Sequence, residues 1–361
     1  MTSHTSAFRL FGRFVIAIAV ILFVIFMFDW TKDSNVEIIR YIYSSSQEEN
    51  MQFTCYDNKK ASKGKSFPRN LTAFIDYWKI SDIHVYKLKP INSSGVVFIT
   101  YASSNHFHES RKAVSSLRSA YRNKIVFYDL GLTAKEATEM ANVCNLEMWK
   151  FDYSKYPSFV TQLFQYHFKA IIMAEAFSQF ESYWIMDASI RFNNHSSLHD
   201  FYSKFLCSHL HFSISSGKME TLVQRFPASH SILATTHPGM YDYLPINATR
   251  AIDVTMRAAT VMFITRSDLG REAVKWNVLC ALTGDCFAPP GSELTCKFDG
   301  PRRVYAHCNR YDQSSINIII ESLLDRDGWH RTTINDDGGM GQFISIQRGD
   351  RESKKLSIPC H

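Results

Sequence analysis

From residue 95 onward, apolar segments of strand length alternate with segments of helical periodicity. The apolar runs are nearly continuous, which is typical of strands buried on both faces of a parallel sheet. The predicted strands span 95–103, 124–132, 146–154 and 181–192, and the predicted helices span 108–121, 133–144 and 168–180. Strands that alternate with helices form βαβ units. We therefore predict an α/β domain over residues 95–361: a Rossmann-type, mostly parallel sheet with helices on both faces.

The second half of this domain has a less regular pattern. Strands are predicted at 211–216, 258–266 and 341–348, and helices at 267–282 and 315–324. Thr133, with Glu136 three residues later, resembles a capping box, and Ser267 is a candidate N-cap. About 265 residues fit one elaborated domain.

The N-terminus carries an apolar run, FVIAIAVILFVIFMF, over residues 14–28. With its flanks it reaches the roughly 17–25 residues that a transmembrane helix needs. Arg9 and Arg13 precede it and Asp29 follows it, which favours a cytoplasmic N-terminus. A cleaved signal peptide is the alternative, but the run ends in bulky residues without a small-residue cleavage site. We predict a tail at 1–10, a membrane anchor at 11–30 and a polar stem at 31–94, that is, a single-pass type II membrane protein.

The cysteines and sequons agree with a lumenal domain. All eight cysteines follow the predicted anchor, and no two form a CxxC pair. An even number of cysteines in such a domain favours disulfides, and four lie close together in sequence. These four candidates are Cys280, Cys286, Cys296 and Cys308, and the sequon asparagines are Asn70, Asn92, Asn194 and Asn247. The formal net charge of +6 forms no basic stripe, so the composition does not favour nucleic-acid binding.

In an open α/β sheet, ligands bind beyond the carboxyl ends of the strands. The first predicted strand ends near Thr100 and Tyr101, the second at Asp129, and the fourth in Asp187-Ala188-Ser189. A carboxylate at the end of a buried strand needs a partner, such as a metal ion or a ribose hydroxyl. The alternative is that Asp187 caps a turn or pairs with Arg191.

A second motif, Asp312-Gln313-x-x-x-Asn317, follows the cysteine-rich segment and opens a helix. Asp312 suits a helix N-terminus as a simple cap, but capping does not explain Gln313 or Asn317. Lys169 begins the helix before the Asp187 strand. It is a candidate for binding a diphosphate above the sheet, or else a solvated lysine of a first turn.

Three features occur together: alternating strands and helices, the Asp187-Ala188-Ser189 triplet at a strand end, and the later Asp312-Gln313-x-x-x-Asn317 motif. Together they resemble nucleotide-sugar-dependent glycosyltransferases of the GT-A fold, in particular the glycogenin-like group. The strings YDLGL, WIMDASIRF, THPGMYDYLP, DCFAPPG and RYDQSSIN are also similar to a nematode-expanded family of type II membrane proteins of unknown function. The resemblance covers about residues 95–350. It implies that Asp187 and Ser189 hold a divalent metal, usually manganese, and that Lys169 contacts the donor phosphates. It further implies a nucleotide-binding role for Arg191 and Asn317.

One departure from the family pattern concerns the metal. The triplet is Asp-Ala-Ser rather than Asp-x-Asp, and a hydroxyl is a weaker ligand than a carboxylate for a hard cation. His307, His330 or Asp336 would have to complete the site. Alternatively Lys169 or Arg191 balances the phosphates without metal, or the domain is inactive.

The leading hypothesis is a Golgi glycosyltransferase that moves a hexose from a UDP- or GDP-sugar to a glycan or glycoprotein. Thr100, Tyr101 and Asp129 would line the nucleotide pocket, and Asp312 with Gln313 would act on the acceptor, Asp312 as base or as an orienting group. Residues expected near the acceptor are His230, His237, Tyr241 and Tyr243. The alternative is a non-catalytic lumenal protein that keeps the fold for binding or scaffolding.

Overall fold

The computed structural model describes residues 51–57, 60–82, 93–192, 222–224, 227–327 and 344–349. The predicted anchor at 11–30, the sequons at Asn92 and Asn194 and the strand predicted at 211–216 lie outside these ranges. Within them, no helix combines the length and apolar character required to cross a membrane.

A six-stranded mixed sheet forms the centre of the domain, in the order β5-β4-β3-β6-β11-β8. Its strands are β3 (Val97–Ala102), β4 (Ile125–Asp129), β5 (Leu146–Lys150), β6 (Ser182–Met186), β8 (Leu222–Gln224) and β11 (Val261–Thr265). The ladders β5-β4, β4-β3 and β3-β6 are parallel, whereas β11 runs antiparallel to β6 and β8. The expectation of an α/β fold with a mostly parallel sheet is confirmed.

Helices cover both faces of this sheet. The helices are α1 (Thr72–Tyr77), α2 (Phe107–Ala120), α3 (Ala134–Ala141), α4 (His167–Gln179), α5 (Ala248–Asp253), α6 (Asp268–Ala281), α7 (Gly284–Phe287) and α8 (Asp312–Asp327). Alternate side chains of β3 enter separate clusters: Ile99 joins one with α4, α6 and α8, and Phe98 joins another with α2. This division follows from the two-residue period of a strand and buries β3 completely.

Two helix starts follow the capping chemistry predicted from the sequence. Thr133 Oγ1 accepts from Glu136 N at 3.3 Å, and Glu136 Oε2 accepts from Thr133 N at 2.8 Å, which completes a capping box before α3. Ser267 Oγ accepts from Gly270 N at 3.0 Å before α6. The last long helix, α8, begins at Asp312, three residues earlier than the apolar periodicity predicts.

A hairpin of β1 (Gln52–Asp57) and β2 (Lys60–Ser66) precedes the sheet and belongs to the main core. The sequence assigns this segment to the polar stem, yet Phe53 and Phe67 are buried, with ring centroids 5.4 and 5.9 Å from that of Trp276 in α6. Gly64 lets β2 approach closely: a Cβ there would lie 2.1 Å from the carbonyl oxygen of Tyr243. Large apolar rings outweigh the polar composition of the segment, so the folded unit begins by residue 51.

Two short antiparallel ladders complete the described fold. They are β9 (Pro227–Ser231) with β10 (Thr255–Arg257), and β7 (Ile190–Phe192) with β12 (Ile344–Ile346). The second ladder brings residues 344–348, predicted as a late strand, next to the turn that follows β6. Gln347 N donates to Ser189 O at 2.8 Å.

Candidate functional site

Lys169, Asp187 and Asp312 meet at the carboxyl edge of the sheet. Lys169 Nζ lies 2.9 Å from Asp187 Oδ1 and 2.8 Å from Asp312 Oδ2. The lysine comes from the first turn of α4, Asp187 follows β6, and Asp312 begins α8. One buried ammonium therefore joins two carboxylates from separate parts of the chain, and we call these three residues the lysine bridge.

Asp187 is positioned by the end of a fully buried strand. Every residue of β6 is buried, and Asp187 N extends the pairing by donating to Thr260 O at 2.8 Å. The chain then turns, with Ile190 N donating to Asp187 O at 3.1 Å. The carboxylate accepts from the hydroxyl of Tyr101, on neighbouring β3, as well as from Lys169. Asp187 thus has side-chain partners, as a carboxylate at a buried strand end requires.

Asp312 enters the bridge at a helix start. Its predecessor Tyr311 has a left-handed backbone, φ +41°, which turns the chain into α8. Ser315 N then donates to Tyr311 O at 2.9 Å and Ser315 Oγ contacts Asp312 O at 3.3 Å. The carboxylate side chain is only 11% exposed. The helix N-terminus and Lys169 together supply the positive potential that this buried anion needs.

Within the lysine bridge, burial and the neighbouring charges shift the pKa values of Lys169 and Asp312. Burial opposes the charge of Lys169, but the carboxylates of Asp187 and Asp312 outweigh it and hold the pKa of Lys169 well above its ordinary value. Burial also raises the pKa of the Asp312 carboxyl, while Lys169 acts against that shift. One ammonium cannot fully compensate two carboxylates, and a buried carboxylate with a raised pKa, as at Asp312, suits a proton acceptor.

Two tyrosine rings enclose the ammonium. Lys169 Nζ lies 4.8 Å from the ring centroid of Tyr166 and 5.9 Å from that of Tyr101. Tyr166 precedes α4 in a left-handed conformation with φ +62°, which places its ring beside the first helical turn. Burial, followed by the charge of Asp187, raises the pKa of Tyr101 well above its ordinary value, so this hydroxyl remains a donor to Asp187.

The other predicted site residues at strand ends take more structural positions. Thr100 is fully buried within β3. Asp129 Oδ1 accepts from the backbone N–H groups of Gly131 and Leu132 at 2.8 and 2.6 Å, and so fixes the turn after β4. Arg191 Nη1 donates to Ala188 O at 2.7 Å and to Ile190 O at 2.8 Å. Arg191 therefore fixes the turn after Asp187.

The remaining residues of the second motif divide between the site and the core. Asn317 is fully buried and exchanges two hydrogen bonds with the backbone of Arg257, at 2.9 and 2.8 Å, which ties α8 to β10. Gln313 is half-buried and lies directly after Asp312. Gln313 thus stays beside the lysine bridge, whereas the amide of Asn317 is occupied by the framework.

Three residues near the bridge were not predicted from the sequence: Tyr166, Arg310 and Arg348. Arg310 interacts electrostatically with Asp312 and Tyr166, and Arg348 interacts with Arg310 and Tyr166. Arg348 is exposed and directly follows Gln347, whose backbone contacts Ser189. Only the position of Arg310, two residues before Asp312, was visible in the sequence; the other two contacts depend on tertiary structure.

A divalent metal ion does not fit between the two carboxylates of the bridge. Magnesium-sized cations lie about 2.0–2.1 Å from their oxygen ligands, so an ion there would overlap the ammonium of Lys169. Within the described ranges, no three acidic, histidine or cysteine side chains are grouped to hold a metal. His307 is exposed and contacts Tyr305, while His330 and Asp336 lie outside the described residues. The manganese expected at Asp187 and Ser189 thus finds no ligand set in these ranges.

Two disulfides lie in the chain segment that precedes Asp312. Cys280 pairs with Cys286, joining the end of α6 to α7, and Cys296 pairs with Cys308. All four candidate cysteines are therefore in disulfides, and Cys144 is disulfide-bonded too. The chain between Cys296 and Asp312 is fixed further by Asn309, whose Nδ2 donates to Phe287 O at 3.0 Å.

The residues expected near an acceptor contact aromatic rings or pack against the core. His237 contacts Tyr305 with ring centroids 6.5 Å apart, and its Nδ1 accepts from Gly239 N at 3.1 Å. His230 is buried against Phe298, with ring centroids 5.8 Å apart. Tyr241 and Tyr243 are half-buried and pack against the main core. His237 and Tyr241 both interact with Tyr305, and His230 packs on Phe298.

Comparisons with known proteins give a partial match in sequence and distant matches in structure. Residues 42–174 match the model of a family described as "Protein of unknown function (DUF1647)"; this segment includes Lys169 but ends before Asp187. None of the curated proteins matches the chain.

Three solved structures resemble the fold. The galactosyltransferase LgtC, in complex with donor and acceptor sugar analogues, has a TM-score of 0.39 and 11% identity over 62% of this chain and 70% of that chain. An active-site mutant of LgtC has a TM-score of 0.33 and 12% identity over 50% and 63% of the two chains. The bifunctional glycosyltransferase WbbM has a TM-score of 0.37 and 9% identity over 70% and 45%, so the chain spans less than half of WbbM. Similarity at this level does not identify a reaction.

Proposed function

We propose that the protein is a glycosyltransferase that moves a hexose from a nucleotide sugar to a glycan or glycoprotein acceptor. The lysine bridge carries this proposal: it brings Asp187 and Asp312 within hydrogen-bonding distance of the same ammonium at the carboxyl edge of an α/β sheet. Ligands of such sheets bind at this edge. This contact supports the proposal that the sequence motifs around Asp187 and Asp312, which resemble those of nucleotide-sugar transferases, act as one site.

In the proposed reaction, the acceptor hydroxyl oxygen bonds to the sugar's anomeric carbon as the bond from that carbon to the β-phosphate oxygen breaks. The electron pair of the broken bond remains on the nucleoside diphosphate, and the hydroxyl proton moves to a base. Asp312, with its raised pKa, is the proposed base of an inverting reaction or the group that orients the sugar in a retaining one. Lys169 supplies positive charge, and Gln313 lies beside the reacting groups. The proposed reaction uses no divalent metal, because the ammonium of Lys169 occupies the position between the Asp187 and Asp312 carboxylates.

We also propose that the domain faces the lumen of the secretory pathway, in the Golgi, with a helix at 11–30 as its anchor. The two disulfides support an oxidising compartment. Of the sequon asparagines in the described residues, Asn70 is exposed, whereas Asn247 is half-buried and caps α5. Glycosylation is accordingly proposed for Asn70 first.

The experiment is a transfer and hydrolysis assay of the full chain in detergent, with a panel of UDP- and GDP-sugars. We expect one nucleotide sugar to be consumed, and Asp312→Asn to lower the rate at least about 100-fold, as loss of general-base catalysis does. Asp82→Asn is the matched control, because Asp82 is an exposed carboxylate that follows α1, outside the three segments that form the bridge. The anomeric configuration of the product distinguishes inversion from retention.

The second candidate function is a non-catalytic binding protein with the same fold. Its support is the lysine bridge itself, in which the carboxylates already have a cation, together with Ser189 in place of a second acid. A well-folded protein that consumes none of the sugars, and whose Asp312→Asn variant retains the wild-type biological effect, would favour this function over catalysis.

A further inference from the structure

The positive charge of the site is already built into the chain. Lys169 is buried, contacts both carboxylates and lies between the rings of Tyr101 and Tyr166, so its ammonium occupies the position between the carboxylates. A divalent cation bound between the carboxylates would have to expel it. Ser189, the residue at the position of the missing second acid, offers a neutral hydroxyl, and its carbonyl is bonded to Gln347 N.

Two further cations stand beside this bridge, and neither forms a salt bridge with a carboxylate among the described residues. Arg310 is half-buried, and its Nε has no hydrogen-bond partner among the described residues. Arg348 is exposed and makes no ion pair within the described ranges. Both interact electrostatically with Tyr166, whose ring covers the Lys169 ammonium. The two guanidinium groups repel each other, and the Asp312 carboxylate that attracts Arg310 is already paired with Lys169. An anion bound between the arginines would relieve that repulsion.

Different elements bring these arginines to the same place. Arg310 stands two residues before α8, and Arg310 N donates to Thr235 O at 3.0 Å, which fixes its backbone. Arg348 follows β12, which is held beside the Asp187 turn by its ladder with β7. Guanidinium groups bind phosphate oxygens through paired N–H donors, which suits a diphosphate better than a single point charge does.

We propose that Arg310 and Arg348 bind the diphosphate of the donor and that, with Lys169, they replace a divalent metal in this site. The inference rests on the proposed function and deepens it by naming the ligand group and the cations that neutralise it. When the anomeric carbon–oxygen bond breaks, the electron pair stays on the diphosphate. The arginines and Lys169 balance that added charge.

The test is calorimetric titration of the full chain in detergent with UDP and with GDP, once in excess chelator and once with manganese. We expect one nucleotide to bind with the same Kd, within about twofold, in both conditions. Arg348→Ala should weaken binding at least about tenfold, the effect of losing a charge-assisted hydrogen bond, and Arg348→Lys should recover part of the loss. Arg310→Gln should act in the same direction.

Arg122→Ala is the matched control, because Arg122 is exposed and precedes β4, at the opposite, amino edge of the sheet. Its Kd should equal that of the wild type, and unfolding midpoints would show that all variants are folded. Binding that requires manganese would overturn the metal-free site and leave the proposed function intact. Binding that is insensitive to both arginine substitutions would overturn their assignment. Absence of binding under both conditions would overturn this inference and the proposed donor together.

Discussion

The two sides of the first turn of α4 bury two basic side chains with opposite outcomes. Lys169 faces two carboxylates and keeps its charge, with a pKa well above the ordinary value. His167 has Nδ1 2.7 Å from Ala281 O and Nε2 2.9 Å from Gln165 Oε1, and burial lowers its pKa to about 4. Both groups are withdrawn from water, so the partners decide: carboxylates preserve a buried charge, whereas neutral oxygens do not compensate its desolvation.

The largest expected effect on stability is that of removing the Lys169 ammonium. Lys169→Met would leave two adjacent carboxylates uncompensated, and we expect a loss of about 3–5 kcal/mol in the free energy of unfolding. Urea denaturation at neutral pH measures it. The double variant Lys169→Met/Asp312→Asn should be more stable than the single variant, because one of the two unpaired charges is gone. If both variants lose equally, charge repulsion is not the cause.

The buried, neutral His167 should instead destabilise the folded protein at acidic pH. Below about pH 6.5 the unfolded state takes up a proton on His167 that the folded state resists until about pH 4. This residue should therefore cost about 3 kcal/mol of stability as the pH falls through that window, given about 1.4 kcal/mol per unit. His167→Gln should show a smaller loss over the same window by urea denaturation. Equal pH slopes in the two proteins would contradict a neutral buried His167.

For Lys169 we expect the opposite pH dependence of its contribution to stability. Its folded pKa is raised, so its contribution to stability is complete below about pH 10.4 and is lost only as the pH rises further. The acidic window that affects His167 should thus leave the Lys169 ammonium charged.

Asp129 is a carboxylate that accepts hydrogen bonds from backbone N–H groups rather than from a charged side chain. Asp129→Ala removes the acceptor of Gly131 N and Leu132 N, and we expect a loss of about 1 kcal/mol by urea denaturation. Asp129→Asn keeps an oxygen in the same position and should lose less. A loss as large as that of Lys169→Met would show that Asp129 has a partner beyond its turn.

The smallest effect is expected for an ion pair in water. Lys65 Nζ lies 2.7 Å from Asp242 Oδ2, with the two side chains 61% and 53% exposed. Lys65→Ala should leave the urea midpoint unchanged within error, because solvent and salt screen such pairs. A clear destabilisation would mean that short distance, rather than burial, gives the lysine bridge its strength.

Local sequence patterns identified the strand ends and helix starts of the candidate site but not their partners. Asp129 and Asp187 both end apolar strands, yet one fixes its own turn and the other meets Tyr101 and Lys169. The contact between Lys169 and Asp312 joins residues 143 positions apart, and no local pattern encodes it. Arg348 reaches the site only through the pairing of β12 with β7. The hairpin at 51–66 was hidden by polar composition, because its buried rings are widely spaced.

The position of that hairpin also limits how far the folded domain could lie from a membrane. With an anchor at 11–30, as the sequence predicts, a stem running to residue 94 would comprise 64 residues and extend at most about 220 Å. Because the folded unit begins by residue 51, an anchor that ended at residue 30 would leave 20 residues before the hairpin, and 20 residues reach at most about 70 Å. Acceptors would have to come within that distance of the bilayer, which favours chains displayed on membrane-bound or closely apposed carriers.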